Sequence, residues 1–194
     1  MSGDVTNNLN VALADLTCWL RSEKIPFAVI GGVRGEPRFT ADVDVIIGLE
    51  LDDALQLIHR LPGSHFEPLF ADIAEVVRTS FILPLRHSET GVKVDAAIGL
   101  SGFERNLLAR ATEMELAGVV APVATVEDII LMKLVAGRPR DAEDCEKLTQ
   151  KHGIRLDWPY LSETAQQLEE ALAVDLTVAL HELRERHAPD SLTG

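Results

Sequence analysis

The stretch of residues 31–44 lies between two short apolar runs and constrains this chain's fold more than any other feature. The preceding run is Phe-Ala-Val-Ile at residues 27–30, and the following run is Val-Ile-Ile at residues 45–47. Apolar runs this short, next to glycine, are typical of β-strands in a core. The stretch therefore connects two predicted strands, the second covering residues 42–47, and its polar residues are expected at the rim of the sheet.

Two glycines, Gly31 and Gly32, follow the first run directly. Glycine lets the backbone approach a phosphate closely. Glycine doublets are also common in ordinary turns, so the doublet alone keeps both interpretations open. Its fixed distance from Asp42 indicates that backbone amides and acidic side chains meet at one site.

Asp42 and Asp44 are two residues apart, so on a strand their side chains share one face. In that arrangement both can bind one divalent cation. The alternative is a solvent-facing strand with two ordinary acids. The apolar continuation of the strand favours the metal site, because carboxylates at a buried rim repel each other without a compensating cation or basic group.

A third acid, Asp95, lies in the largely apolar residues 92–98. A carboxylate in a buried strand is costly without a partner, and an arginine is one alternative partner. If this strand lies beside the strand of Asp42 and Asp44, the three carboxylates converge. Three such carboxylates are the ligand set for two Mg²⁺ ions in phosphoryl transfer.

The composition limits the classes of protein to which this chain can belong. The 194 residues suffice for one well-buried domain with a helical appendage. The net charge of -13 disfavours a large nucleic-acid partner without excluding one.

Cys18 and Cys145 are too far apart for a multi-cysteine zinc motif and are expected to be reduced thiols. The six histidines show no ligand spacing and are expected to be surface or structural residues. With no signal peptide and no apolar run of membrane length, we expect a cytoplasmic protein without a membrane partner.

Helix patterns flank the predicted strands. Leucines at helical spacing predict a helix over residues 9–20, with Thr6 or Asn7 as its cap. Residues 81–85 and 92–98 are predicted to form paired strands, and Pro84 indicates that the first is an edge strand. The predicted fold is α/β (α+β): a small mixed β-sheet with flanking helices and a C-terminal helical part.

The C-terminal part shows three helical patterns. One begins at Thr125 and carries Lys133 on a largely apolar surface, where a lysine is conspicuous. A second is expected to be capped by Asp141 and to end near residue 152. The third covers residues 157–187. We therefore expect a core at residues 1–124 and a helical region at residues 125–194 that packs on it.

The glycine doublet, a nine-residue spacer, Asp42-x-Asp44 and the distant Asp95 together resemble the DNA polymerase β-type nucleotidyltransferase superfamily. The string Arg-Gly-x-x-Arg-x-Thr-x-Asp-x-Asp and the later lysine helix followed by Arg-Asp are similar to small bacterial AbiEii-like and MNT-like nucleotidyltransferases. The spacer is shorter than in many AbiEii-like members. The resemblance implies that Asp42, Asp44 and Asp95 are catalytic and bind Mg²⁺. It implies nucleotide contacts from Gly31, Gly32, Arg34, Arg38, Thr40, Lys133, Arg138 and Asp144, with Asp141 as the alternative to Asp144.

The basic residues have simpler interpretations as well. Lys133 can extend its ammonium group out of an apolar helix into water, and Arg138 can neutralise the acidic helix that follows it. Arg34 and Arg38 can clamp phosphates with two hydrogen bonds each or simply balance the acids.

The resemblance implies transfer of a nucleoside monophosphate from ATP or another NTP to an acceptor, with Mg²⁺ as cofactor. The acceptor stays open among RNA such as tRNA, a protein and a small molecule, and a toxin–antitoxin role with a cognate toxin or antitoxin partner is one expectation. The alternative is a catalytically silent protein of this fold that acts as a binding or antitoxin-like partner. A weaker alternative is a metal-dependent phosphodiesterase that uses the same three acids.

Overall fold

The computed structural model describes residues 2–31, 42–99, 101–116 and 118–187. The chain forms two compact units, Met1–Ala124 and Thr125–Gly194. The first unit contains a β-sheet with helices, and the second is helical. Within the described ranges, no helix is both long enough and apolar enough to cross a membrane.

The first unit alternates between helices and strands. Its helices are α1 (Ser2–Ser22), α2 (Leu51–Leu57), α3 (Ile73–Ser80) and α4 (Gly102–Arg110). Its strands are β1 (Phe27–Val29), β2 (Asp42–Ile47), β3 (Phe66–Pro68), β4 (Ile82–His87), β5 (Lys93–Ile98), β6 (Thr112–Leu116) and β7 (Val119–Val123). A 3₁₀ turn, Ile58–Arg60, follows α2. The helices of the second unit are α5 (Val126–Ala136), α6 (Pro139–His152), α7 (Trp158–Leu172) and α8 (Thr177–His187), with a 3₁₀ turn at Gly153–Arg155.

The strands form one mixed sheet in the order β3-β4-β5-β2-β1-β7-β6. Strand β2 runs parallel to β5, and β1 runs parallel to β7. The remaining neighbours are antiparallel. The predicted fold class, a mixed sheet with flanking helices and a C-terminal helical part, is confirmed.

The main core of the first unit lies between one face of this sheet and helices α1, α2 and α3. Alternate residues of β2, namely Val43, Val45 and Ile47, are buried in this core. Because side chains alternate along a strand, the intervening Asp42 and Asp44 project from the opposite face. The period-two pattern of β2 thus fixes which face carries the acids.

The first helix is longer than its apolar pattern predicts. It begins at Ser2, so Thr6 and Asn7 lie inside the helix and the prediction that one of them caps it is wrong. Once a helix has been nucleated, each residue added to it forms one further backbone hydrogen bond, so extending the helix costs less free energy than starting it. The polar first turns therefore extend a helix whose buried residues, from Ala12 to Leu20, lie further along the chain.

The prediction that the strand of Pro84 is an edge strand is also wrong, because β4 lies between β3 and β5. Pairing between β3 and β4 ends at Pro68 and Leu85. Pro84 is the next residue beyond this paired stretch, and its carbonyl accepts a hydrogen bond from Leu69. Because the N–H and C=O of one residue point to the same side of an antiparallel strand, the missing N–H of Pro84 faces β3 and leaves the pairing of β4 with β5 intact.

In the second unit, the start of α6 and the continuity of the last helix also differ from the prediction. Helix α6 begins at Pro139 with Arg138 as its N-cap, so Asp141 lies in its first turn rather than at the cap. The single helical pattern over residues 157–187 is divided into α7 and α8. The Glu169 carboxylate accepts hydrogen bonds from the backbone amides of Leu176 and Thr177 and so stabilises the start of α8.

Candidate active site

The acids of β2 and β5 are neighbours in the sheet. Asp44 is the Cα partner of Asp95, and Asp42 is the partner of Lys93. Partners on neighbouring parallel strands project from the same face, about 4.8 Å apart along the hydrogen-bonding direction. All three acids are half-buried. The structure therefore places Asp42, Asp44 and Asp95 on one face of the sheet.

The pKa of the Asp95 carboxyl is raised above its ordinary value. Burial raises the pKa of its carboxyl, the negative charge of Asp42 raises this pKa further, and Lys93 acts in the opposite direction. A carboxylate with a raised pKa is a stronger base than an ordinary aspartate. The site thus contains a partly desolvated acid next to a second negative charge.

Gly31 lies directly against Asp44. A β-carbon added at residue 31 would be 2.4 Å from Asp44 Oδ2 and 3.0 Å from Asp44 Cβ. The backbone holds the two segments together, since the amide of Ile30 donates a hydrogen bond of 3.0 Å to the Asp44 carbonyl. Only glycine fits at residue 31 without displacing the Asp44 carboxylate.

The three carboxylates share a face, but their oxygens are not drawn together as a ligand cluster. Within the part of the chain that the structure describes, one group of three or more metal-ligating side chains has all its ligand atoms within 4.8 Å of one another, and it is Asp15, His65 and His87. A set of carboxylate oxygens is nevertheless the donor chemistry that Mg²⁺ prefers. Asp42, Asp44 and Asp95 fit this ion by donor type and by their common face.

The second unit holds the basic residues expected near the nucleotide. Lys133 lies on α5, and its Nζ is 2.8 Å from Asp144 Oδ2 and 3.4 Å from Asp141 Oδ1. Arg138 Nε donates a hydrogen bond of 2.7 Å to Asp141 Oδ2. Burial alone would raise the pKa of Asp141, but Arg138 and Lys133 together lower it. Lys133 and Arg138 therefore take part in an ion-pair cluster between α5 and α6.

Four further residues expected to contact the nucleotide, Gly32, Arg34, Arg38 and Thr40, lie outside the described residues.

Asp15, His65 and His87 form a group that no sequence pattern indicates. His87 Nε2 lies 2.9 Å from Asp15 Oδ2, and His65 Nδ1 lies 3.8 Å from the same oxygen. The two histidines were expected to be surface or structural residues. No local spacing links the three positions, because α1, the bend before β3 and the end of β4 each supply one.

Comparison with known proteins identifies the fold. No model of a known protein family matches the sequence. No curated protein matches it either. Among solved structures, the chain is similar to the crystal structure of an antigenic nucleotidyltransferase-like protein from Paracoccidioides brasiliensis, with a TM-score of 0.51 and 20% identity over 90% of this chain and 93% of that chain. At this identity the likeness is one of fold, and it supports a nucleotidyltransferase fold for this chain.

Proposed function

We propose that this protein is a Mg²⁺-dependent nucleotidyltransferase that transfers a nucleoside monophosphate from an NTP to an acceptor. The observation that carries the proposal is the register of β2 and β5, which makes Asp44 and Asp95 direct partners with Asp42 on the same face. The fold shared with the nucleotidyltransferase-like protein supports it. A fold alone does not define an activity, so the acids of the site carry the argument.

Each acid has a role in this proposal. Asp42, Asp44 and Asp95 would hold Mg²⁺, which when bound offsets the negative charge of the triphosphate and of the transition state. Asp95, whose pKa is raised by burial and by Asp42, would accept the proton of the attacking acceptor hydroxyl. Gly31 keeps the space beside Asp44 clear of a side chain. Positioning and charge compensation would supply most of the rate enhancement.

We further propose that the chain belongs with the small AbiEii-like and MNT-like nucleotidyltransferases. The support is the sequence string that ends in Asp42-x-Asp44 together with the lysine helix α5. On this basis ATP is the first nucleotide to test, and RNA such as tRNA, a protein and a small molecule are the acceptor classes. A cognate toxin or antitoxin is the partner class that this proposal suggests.

The test is transfer of label from nucleotides that carry ³²P on the α-phosphate or on the γ-phosphate. The protein is incubated with each NTP, Mg²⁺ and fractionated cell extract. We expect an acceptor to be labelled from the α-phosphate and not from the γ-phosphate. Asp44→Asn should reduce this labelling by roughly 100-fold or more, because charge compensation at the site is lost.

The matched control is Asp53→Asn, which neutralises an exposed acid on α2. It should label the acceptor like the wild type. Equal labelling by the wild type and by Asp44→Asn would contradict the proposal. Cleavage of a phosphodiester without any NTP would instead identify the weaker alternative, a phosphodiesterase.

A second candidate function is a catalytically silent protein of this fold that binds a partner. The absence of the three acids from the tight ligand cluster found within the described residues favours it. Mg²⁺-dependent thermal stabilisation by an NTP separates the two candidates. If no NTP stabilises the protein with Mg²⁺ present, the binding function is supported.

A further inference from the structure

A cluster of metal-ligating side chains lies on the face of the sheet opposite the three acids. In the pairing of β4 with β5, Pro84 is the partner of Asp95. The alternating residues Leu83 and Leu85 are buried in the core with helix α1, and His87 continues their side of β4. The His87 side chain accordingly meets Asp15 of α1. The cluster and the candidate active site are thus separated by the sheet.

The geometry points to a metal site, and we propose that Asp15, His65 and His87 bind one transition-metal ion, with Zn²⁺ as the best fit. Around tetrahedral Zn²⁺, ligand atoms at about 2.0–2.1 Å from the ion lie roughly 3.4 Å from one another. Asp15 Oδ2 lies 2.9 Å from His87 Nε2 and 3.8 Å from His65 Nδ1, values on either side of that separation. All three ligand atoms lie within 4.8 Å of one another. The two Asp15 distances differ from that separation by about 0.5 Å or less, so small side-chain shifts would bring Asp15 and each histidine to the spacing of shared ligands.

The donor set favours a transition metal over Mg²⁺. Two imidazoles and one carboxylate suit Zn²⁺, Co²⁺, Ni²⁺ and Fe²⁺, whereas Mg²⁺ prefers oxygen ligands alone. Three protein ligands leave a fourth position for water. The ion of this site therefore differs in kind from the Mg²⁺ proposed for the opposite face.

His87 is held in the orientation that a ligand needs. Its side chain is fully buried, and its ring packs edge-on against Phe66 with centroids 5.3 Å apart. The far ring nitrogen, Nδ1, lies 2.8 Å from Thr90 Oγ1. A hydrogen bond to the second nitrogen is the usual support for a metal-binding histidine, because it fixes the tautomer and the ring plane.

The contact between Nδ1 and Thr90 also determines which ring nitrogen of His87 can carry the proton. Without metal, a proton on Nε2 bridges the 2.9 Å to Asp15 Oδ2, and the amide of Thr90 donates to Nδ1. With metal at Nε2, the ring proton lies on Nδ1, which donates it to Thr90 Oγ1 and no longer accepts from the Thr90 amide. The proton moves from one ring nitrogen to the other, so none is gained or lost.

His65 provides the accessible side of the site. Its side chain is 57% exposed, and its φ of 22° is positive, which is uncommon for residues other than glycine. Such backbone conformations concentrate at sites that clamp ligands. His65 also lines an open cavity of about 530 Å³ together with Ser64, Glu67 and Ser88. Of the three proposed ligands, His65 is therefore the one that an ion in solution can reach first.

Bound metal would join α1 to the segment from His65 to His87, which are ordered parts of the first unit. Since the three ligands come together only in the folded chain, binding stabilises the folded state. The site therefore supports the fold from the face opposite the acids, and it does not depend on the proposed transferase activity.

The test is titration of the metal-free protein, without a histidine tag, with ZnCl₂ and in parallel with CoCl₂. We expect one equivalent of Zn²⁺ to bind, measured by equilibrium dialysis with elemental analysis. Co²⁺ should give the intense visible absorption of a four-coordinate site. At a hundredfold excess over the Kd, Zn²⁺ should raise the Tm by about 5 °C or more.

Two variants keep the test independent of folding. Asp15→Asn removes the charge but retains an oxygen that accepts the His87 hydrogen bond, and His65→Ala changes an exposed side chain. Each should weaken Zn²⁺ binding at least tenfold, whereas His59→Ala, at an exposed histidine of the 3₁₀ turn, should not. Asp95→Asn should also retain Zn²⁺ binding. Failure of the wild type to bind one equivalent, or binding that survives in both Asp15→Asn and His65→Ala, would overturn the proposal.

Discussion

Asp44 and Asp95 are direct partners across the parallel pair of β2 and β5, so two half-buried carboxylates stand side by side on neighbouring strands. With Asp42 on the same face, three negative charges occupy one region of the sheet. Like charges this close favour protonation of one member or binding of a cation.

Replacing Asp95 should stabilise the protein at neutral pH. Because burial and then Asp42 raise the pKa of Asp95 in the folded state, the folded protein retains this proton after the unfolded chain has released it. Stability therefore falls as pH rises from about 3.9, the ordinary pKa of aspartate, through the folded pKa. Asp95→Asn removes this loss and should raise the Tm at pH 7.5 without divalent cations.

The effect of Asp95→Asn should disappear below about pH 3.5, where both states bind the proton. Added Mg²⁺ with NTP should stabilise the wild type and not the variant. Thermal unfolding followed by circular dichroism at several pH values measures both effects, with Asp53→Asn as the control. A Tm of the variant at pH 7.5 equal to or below that of the wild type would show that the Asp95 charge carries no folding penalty.

A methyl group at residue 31 should impair the site more than the fold. In Gly31→Ala the new carbon would lie 2.4 Å from Asp44 Oδ2, so the carboxylate must move. We expect the Kd for Mg²⁺-NTP to rise about tenfold or more, because a displaced ligand loses its place at the ion. Isothermal titration calorimetry measures this change.

Gly102→Ala is the matched control, because a carbon added there, at the start of α4, meets nothing within 4 Å. Its Kd should equal that of the wild type. If Gly31→Ala binds as tightly as Gly102→Ala, the close contact with Asp44 is unrelated to nucleotide binding.

The ion-pair cluster of the second unit should contribute to stability. Asp141 is buried and accepts hydrogen bonds from Arg138 and Lys133. Asp141→Asn should lower the free energy of unfolding by about 1–3 kcal/mol at pH 7, the usual contribution of hydrogen bonds to charged groups. Urea unfolding measures it, and Glu143→Gln, at an exposed acid of the same helix, is the control.

The pH dependence of Asp141→Asn has the opposite sign to that of Asp95→Asn. Since the folded pKa of Asp141 is lowered, its stabilisation is fully present above about pH 3.9 and is lost as pH falls through the folded pKa. The wild type and Asp141→Asn should therefore converge in stability under acid conditions. A constant difference down to the lowest pH would rule out a charged Asp141 as its source.

The two cysteines should differ in reactivity. Burial, with smaller contributions from nearby acids, raises the pKa of Cys145 to about 12, and Lys133 opposes this rise. Cys18 is exposed. At pH 7.5 iodoacetamide should modify Cys18 alone in the native protein and both thiols in guanidinium, as seen by mass spectrometry. Rapid native labelling of Cys145 would show that α6 opens readily.

The sequence predicts best where a local pattern and the tertiary contacts agree. Acidic and apolar residues of β2 alternate over residues 42–45, and this strand has the predicted bounds, residues 42–47. The break after α7 carries no glycine or proline, so the helical pattern continues through it. Ala173 adopts a positive φ of 54° there, and Glu169 binds the amides at the start of α8. These contacts follow from packing and hydrogen bonding across the break, which a pattern of leucines does not encode.

The same limit applies to the sites. Proximity of Asp42 and Asp44 is encoded by their spacing, but the partnership of Asp44 with Asp95 depends on which strands become neighbours. The sequence places Asp95 on a strand, and the three acids converge only because that strand pairs with the strand of Asp42 and Asp44. Asp15, His65 and His87 gave no comparable signal, because their convergence requires a helix, a bend and a strand end to meet.

The contact between Gly31 and Asp44 also sets a rule for how this chain can change over evolutionary time. A lineage that keeps the Asp44 carboxylate cannot accept any other residue at position 31 without moving it. A lineage that has lost the acid is released from that restriction. Among relatives of this chain, aspartate at position 44 should accordingly occur with glycine at position 31, and other residues at position 31 should occur where the acid has been lost.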